Sequence, residues 1–66
     1  MRFDQALTVM LTHGNDIYRI GSDDFYSVDD GEDIPVIWHY DAEDDELKHA
    51  VFSHEDVLAS DWEIKS

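Results

Sequence analysis

Two stretches of the sequence concentrate carboxylates. Residues 41–46 read DAEDDE and residues 29–33 read DDGED. Carboxylates at this density could bind calcium, could serve as a general acid and base, or could pair with Lys and Arg of a partner. The spacing of the residues and the elements that hold them decide among these chemistries.

A calcium loop is the first chemistry to test. An EF-hand needs oxygen ligands at positions 1, 3, 5, 7, 9 and 12 and a glycine at position 6. Counting from Asp41, the sixth residue is Glu46 and the twelfth is Phe52. Counting from Asp29, Gly31 comes third. Neither stretch fits, so we expect no dedicated calcium site.

Zinc binding and catalysis are also weakly supported. None of the histidines has the i, i+4 spacing of a helical zinc site, although two of them could lie on paired strands; the four are His13, His39, His49 and His54. A general acid and base need a pocket that drives two pKa values apart, which a solvated loop does not provide. No phosphate-binding glycine loop or nucleophile elbow appears. We expect no metal, no cofactor and no enzymatic activity.

The composition predicts one small folded domain, residues 1–66. With 42% apolar residues, two Trp, three Tyr and three Phe, the chain is too rich in core-forming residues for a disordered acidic tail. It has no cysteine for disulfides or thiolate metal ligands. No apolar run approaches the roughly 18 residues of a membrane span. We therefore expect a protein of the cytoplasm.

The net charge of -13 predicts the kind of partner. It arises from 17 Asp and Glu against 4 Lys and Arg. Such a field repels nucleic acid and anionic membranes, attracts basic protein surfaces, and can raise association rates by roughly 10- to 1,000-fold. The expected partner is a cationic protein surface, with no direct contact to nucleic acid or membrane.

Helical spacing of apolar residues marks the opening RFDQALTVMLTHGN, including Phe3, Leu7 and Met10. Asp4 is the expected N-cap, and Gly14 the C-terminal stop. Later in the chain, Ser53 and Asp56 form the pattern of a capping box for a short helical turn.

Five β-rich runs complete the predicted elements. DIYRI and DFYSV are separated at Gly21–Ser22, a pair suited to a type II′ hairpin turn. IPVIWHY and LKHAVF could pair across residues 41–46, which would place DAEDDE on an exposed hairpin connection; DWEIK is the last run. The predicted fold is α+β: an N-terminal helix on an antiparallel sheet of four to five strands, with a short helical turn before the last strand.

The aromatic residues have a structural interpretation. At this chain length we expect the core to contain Phe3, Phe25, Trp38, Phe52 and Trp62. Tyr18, Tyr26 and Tyr40 are either ordinary sheet surface or occupy the place of bases beside the acidic groups.

Three explanations of the acidity remain open. Two are structural: a solvated face, or adaptation of the whole proteome to salt. The third is imitation of nucleic acid. Alternate residues on one face of a strand lie about 6.6 to 7 Å apart, comparable with the spacing of successive phosphates along a DNA strand, whose axial rise is about 3.4 Å per nucleotide. A folded scaffold can thus present carboxylates to the Lys and Arg of a DNA-binding groove.

The two ends of the chain, MRFDQAL and EDVLASDWEI, resemble the start and finish of the phage Thoeris anti-defence family. The resemblance implies a small α+β domain framed by an opening helix and a closing strand. It also implies, as an alternative function, an oligomer that sequesters a cyclic-nucleotide immune signal.

The small size and acidity resemble the anti-CRISPR proteins that act as DNA mimics, in particular a short acidic inhibitor of the type I-C Cascade complex. This resemblance implies a phage-encoded inhibitor, active in the bacterial host cell, that covers the DNA- and PAM-recognition surface of a CRISPR effector subunit. The expected partner-binding residues are the carboxylates of the two acidic stretches: Asp29, Asp30, Glu32, Asp33, Asp41, Glu43, Asp44, Asp45 and Glu46.

Overall fold

The fold is a helix packed on one face of an antiparallel sheet. The computed structural model describes residues 1–29, 31 and 33–65. The sheet order is β4-β3-β2-β1-β5. This confirms the predicted α+β class. The elements are α1 (Phe3–His13), β1 (Asp16–Arg19), β2 (Phe25–Asp29), β3 (Val36–Asp41), β4 (Glu46–His49), α2 (His54–Leu58) and β5 (Trp62–Lys65).

Helix α1 begins two residues earlier than predicted. Arg2 is the N-cap, and its backbone N–H donates to the Gln5 side chain at 3.0 Å. The prediction of Asp4 as N-cap is therefore wrong. Asp4 lies in the first turn, where its carboxylate interacts favourably with the positive end of the helix dipole and pairs with Arg2. The predicted stop is confirmed, because Gly14 has a left-handed φ of 74° and its N–H donates to the Met10 carbonyl.

The core forms where α1 lies across β1, β2 and β5. Its buried residues are Ala6, Met10, Ile17, Tyr26 and Trp62. Phe3 and Phe52 pack against this cluster, as predicted. Trp62 also satisfies its polar group, because its indole N–H donates to the Asp56 carbonyl at 2.8 Å.

Trp38 and Phe25 lie outside this core cluster, so the prediction is wrong for them. The pairing of β2 with β3 sets Tyr26 opposite His39 and Ser27 opposite Trp38. Successive residues of a strand point to opposite faces. Because Tyr26 faces α1, Phe25 and Trp38 belong to the other face of the sheet, which we call the open face.

The β1–β2 connection differs from the predicted tight turn. Five residues, 20–24, separate the strands. The Ser22 N–H donates to the Arg19 carbonyl at 3.0 Å, and Gly21 has a φ of 89°. That places the glycine third in the turn, as in type II, rather than second, as in II′. The Ser22 hydroxyl then accepts from Asp24 N–H at 3.1 Å and extends the loop.

The predicted pairing of the third and fourth strands and the capping box of the short helix are confirmed, although β4 (Glu46–His49) ends before the last three residues of LKHAVF. Strands β3 and β4 pair, with Asp41 opposite Glu46. Helix α2 begins with the predicted capping box, in which Ser53 and Asp56 exchange side-chain-to-backbone hydrogen bonds of 3.1 and 3.0 Å. Among the described residues, no helix has the length and apolar character to cross a membrane.

Candidate functional site

Three of the carboxylates of residues 41–46 lie on the connection between β3 and β4, as predicted, and the other two lie at the adjoining strand ends. Strand β3 ends at Asp41, β4 begins at Glu46, and Glu43, Asp44 and Asp45 are exposed between them. Asp45 adopts a left-handed φ of 53°, a conformation that Asp tolerates better than most residues. The phenol of Tyr40 donates a hydrogen bond to the Asp45 carboxylate, which raises the pKa of that phenol.

Asp41 holds this connection together. Its carboxylate accepts hydrogen bonds from the backbone N–H of Glu43 at 3.0 Å and from Lys48 Nζ at 3.0 Å. Lys48 also contacts Asp44 at 3.3 Å. The hydrogen bond from Lys48 is the largest cause of an Asp41 pKa below its usual value, and it raises the pKa of Lys48. The Asp41 carboxylate therefore stabilises the conformation of the loop.

Glu43 and Glu46 have a different environment. Both side chains are exposed. Within the described residues, no ion pair involves either of them. These two carboxylates are therefore available to an outside cation.

A second acidic pair, which the sequence interpretation missed, joins this connection. The β1–β2 and β3–β4 connections lie at the same end of the antiparallel sheet. Asp24 links them: its carboxylate accepts from the Ala42 N–H at 3.0 Å and lies 2.8 Å from His39 Nε2. The dipeptide Asp23–Asp24 was visible in the sequence, and the predicted strand order was enough to place it here. We call the combined surface the acidic end: Asp23, Asp24, Asp41, Glu43, Asp44, Asp45 and Glu46.

The other predicted acidic stretch lies at the opposite end of β3. Asp29 ends β2, and its carboxylate accepts from the Gly31 N–H at 3.0 Å; Asp33 precedes β3 and is exposed. Asp30 and Glu32 lie outside the described residues. The six residues of β3 separate the two stretches by about 17 Å. The structure therefore does not bring the two sets of predicted residues together.

Each of the four Lys and Arg residues already has an internal contact. Arg2 pairs with Asp4, and Lys48 with Asp41 and Asp44. Lys65 lies 5.0 Å from the centre of the Phe25 ring. Arg19 contacts Asp61 at 2.9 Å and Asp56 at 3.2 Å; the bond to Asp61 is the main reason that the Arg19 pKa is raised, and it lowers the Asp61 pKa.

The open face carries aromatic side chains. Phe25 stacks on Tyr40 with ring centres 4.8 Å apart, and Trp38 meets His49 edge-on at 4.8 Å. Of the three predicted tyrosines, Tyr40 and Tyr18 belong to this face by their register, while Tyr26 is buried. Tyr26 stacks on His39 instead, beneath Asp24.

Comparison with known proteins adds no relationship. No model of a known protein family matches the chain, and no curated protein matches it significantly. Within the described residues, no group of three or more His, Asp or Glu side chains is arranged to hold a metal ion.

The buried phenol of Tyr26 should make the folded protein less stable at alkaline pH. Burial, with the nearby charges of Asp56 and Asp24, raises its pKa from 10.0 to about 12. Between these two pH values only the unfolded chain ionises this phenol, so the free energy of unfolding falls as the pH rises. We expect a smaller fall in Tyr26→Phe. Urea unfolding at several pH values from 8 to 11.5 measures it, and equal falls in both proteins would contradict the assignment.

Proposed function

We propose that this protein is a non-enzymatic DNA mimic that inhibits a phage-defence nuclease. Its acidic end occupies the DNA- and PAM-recognition surface of a CRISPR effector of the type I-C Cascade kind and prevents target DNA from binding. The observation that carries the proposal is the Asp24–Ala42 hydrogen bond, which joins two acidic connections into one surface. The choice of effector rests on the resemblance to acidic anti-CRISPR proteins.

Preorganisation of the acidic end supports this function. Asp41, Lys48 and Asp24 fix the backbone of the β3–β4 connection through hydrogen bonds of 3.0 Å. A surface that is already ordered loses less conformational entropy on binding. Exposed carboxylates such as Glu43 and Glu46 can then accept charge-assisted hydrogen bonds from Arg and Lys, as phosphates do.

The net charge supports rapid and selective association. At -13 the protein attracts basic grooves and repels DNA itself. Complementary charge chiefly raises the association rate and excludes wrong partners. A DNA-binding groove, which is basic along its length, meets both conditions.

The alternative, sequestration of a cyclic nucleotide as in the Thoeris anti-defence family, has less support. A phosphate ligand needs cations or clustered backbone donors. The chain has four Lys and Arg, and each already contacts a carboxylate or an aromatic ring of the same chain. A nucleotide would have to displace these contacts against a strongly negative field.

Salt dependence tests the proposal. Purified type I-C Cascade and a fluorescent target duplex are mixed with this protein, and bound duplex is measured by anisotropy. We expect the protein to displace the duplex. We also expect the affinity of the protein for Cascade to fall by roughly tenfold or more between 50 and 300 mM NaCl. Binding of Cascade to both ligands at once, or an affinity that salt leaves unchanged, would contradict DNA mimicry.

A further inference from the structure

A cavity lies at the far end of the open face, away from the acidic end. Its volume is about 370 Å³, within the range of about 300 to 1,000 Å³ typical of ligand sites. Its lining combines two carboxylates, an indole, an imidazole and two aliphatic side chains: Asp29, Asp33, Trp38, His49, Val36 and Ile34.

The strand register brings these groups together. Asp29 pairs with Val36, Ser27 with Trp38, and Trp38 with His49. Alternation along β2 and β3 therefore sets Asp29, Val36 and Trp38 on the same face, with His49 beside them on β4. The cavity thus rests on three adjacent strands, which give its aromatic and acidic walls a fixed spacing.

The lining has the chemistry of a site for a cation. An indole face attracts ammonium and guanidinium groups, and carboxylates at the rim pair with the same charge. The open face already contains one example, because Lys65 of this chain lies over the Phe25 ring. No Lys or Arg is among the described residues that line the cavity, so we look to another molecule for a cation that binds Trp38.

We infer that this cavity receives an arginine side chain of the protein partner. A guanidinium is planar, so it can stack on Trp38 while Asp29 or Asp33 accepts its N–H groups, and Ile34 and Val36 can cover its methylene groups. A second copy of this chain is a poor occupant, because each copy carries a charge of -13. The inference rests on the proposed function in one respect, that the partner's surface is basic.

The test uses a peptide and does not need the partner. Acetyl-Gly-Arg-Gly-amide is titrated into the ¹⁵N-labelled protein, and the Trp38 indole and the Val36 and His49 amides are followed by NMR. Its citrulline counterpart, which has a similar shape and no charge, and its lysine counterpart serve as comparisons. We expect saturable shifts with arginine, weaker binding with lysine and none with citrulline.

Matched variants locate the site. Asp29→Asn with Asp33→Asn is expected to weaken arginine binding by about three- to tenfold, because each partly exposed ion pair contributes little singly. Asp23→Asn with Asp45→Asn removes the same charge at the acidic end and is expected to leave the shifts unchanged. Asn keeps the left-handed backbone at position 45 accessible.

Three results would overturn the inference: no saturable shifts with arginine, equal shifts with citrulline, or equal weakening by both double variants. These results are independent of DNA displacement from Cascade. Failure of the peptide test with successful displacement would remove only the arginine site. Successful arginine binding without displacement of DNA would support the cation-binding cavity and contradict the proposal of DNA mimicry.

Discussion

Trp62→Ala is expected to remove a large part of the protein's free energy of unfolding. Trp62 is completely buried and contacts the rings of Phe3, Tyr26 and Phe52. Truncating a buried Trp costs about 3–5 kcal/mol. At about 0.05–0.15 kcal/mol per residue, a chain of this length has a free energy of unfolding of only about 3–10 kcal/mol. Circular dichroism with urea unfolding measures the loss.

Trp38→Ala is the matched control. It removes the same kind of side chain at a half-buried position on the open face, where α1 does not pack. We expect a cost of about 1–2 kcal/mol, because less area is lost from contact with the protein. Equal destabilisation by the two substitutions would show that Trp38 is as deeply buried as Trp62. It would contradict the exposure of the open face to solvent.

Glu43→Gln with Glu46→Gln is expected to weaken inhibition about tenfold to hundredfold. Both carboxylates are exposed, and loss of a charged group that pairs within an interface costs more than loss of a rim charge. The free energy of unfolding should be unchanged or higher, since removal of two like charges relieves repulsion in the acidic end. Displacement of a DNA duplex from Cascade gives the inhibition constant, and urea unfolding gives the stability.

Glu55→Gln with Glu63→Gln provides the control with equal net charge. These residues lie on α2 and β5, outside the acidic end. We expect this variant to inhibit almost as well as the unchanged protein. If both variants weaken inhibition equally, net charge alone acts on the partner. If neither does, the β3–β4 connection is not the contact surface.

The element types and the hairpin connection at residues 41–46 were predictable, because both depend on local patterns. Helical spacing in residues 3–13, a glycine at 14 and the alternation of residues 36–40 are sufficient for them. The N-cap and the β1–β2 turn were predicted wrongly. At both places two local solutions compete: Gln5 completes the cap at Arg2, and Ser22 lengthens the turn after Gly21.

The candidate site was predictable only in part. The dense stretch at 41–46 identified most of the acidic end, and strand order would have added Asp23 and Asp24. The internal role of Asp41 and the exposure of Glu43 could not be predicted. Both depend on which carboxylate Lys48 contacts across the hairpin. The sequence offers several neighbouring carboxylates and does not show which of them forms that contact.

The sequence by itself determined a folded, strongly acidic α+β domain, because composition sets the charge and periodicity sets the elements. Only the tertiary structure decided which tryptophan is core and which lines a cavity. Trp38 and Trp62 both lie in short β-rich runs, and the side of the sheet that each occupies depends on register and on which face α1 covers. The register and the choice of the covered face involve several strands and a helix together, so no single local pattern contains them.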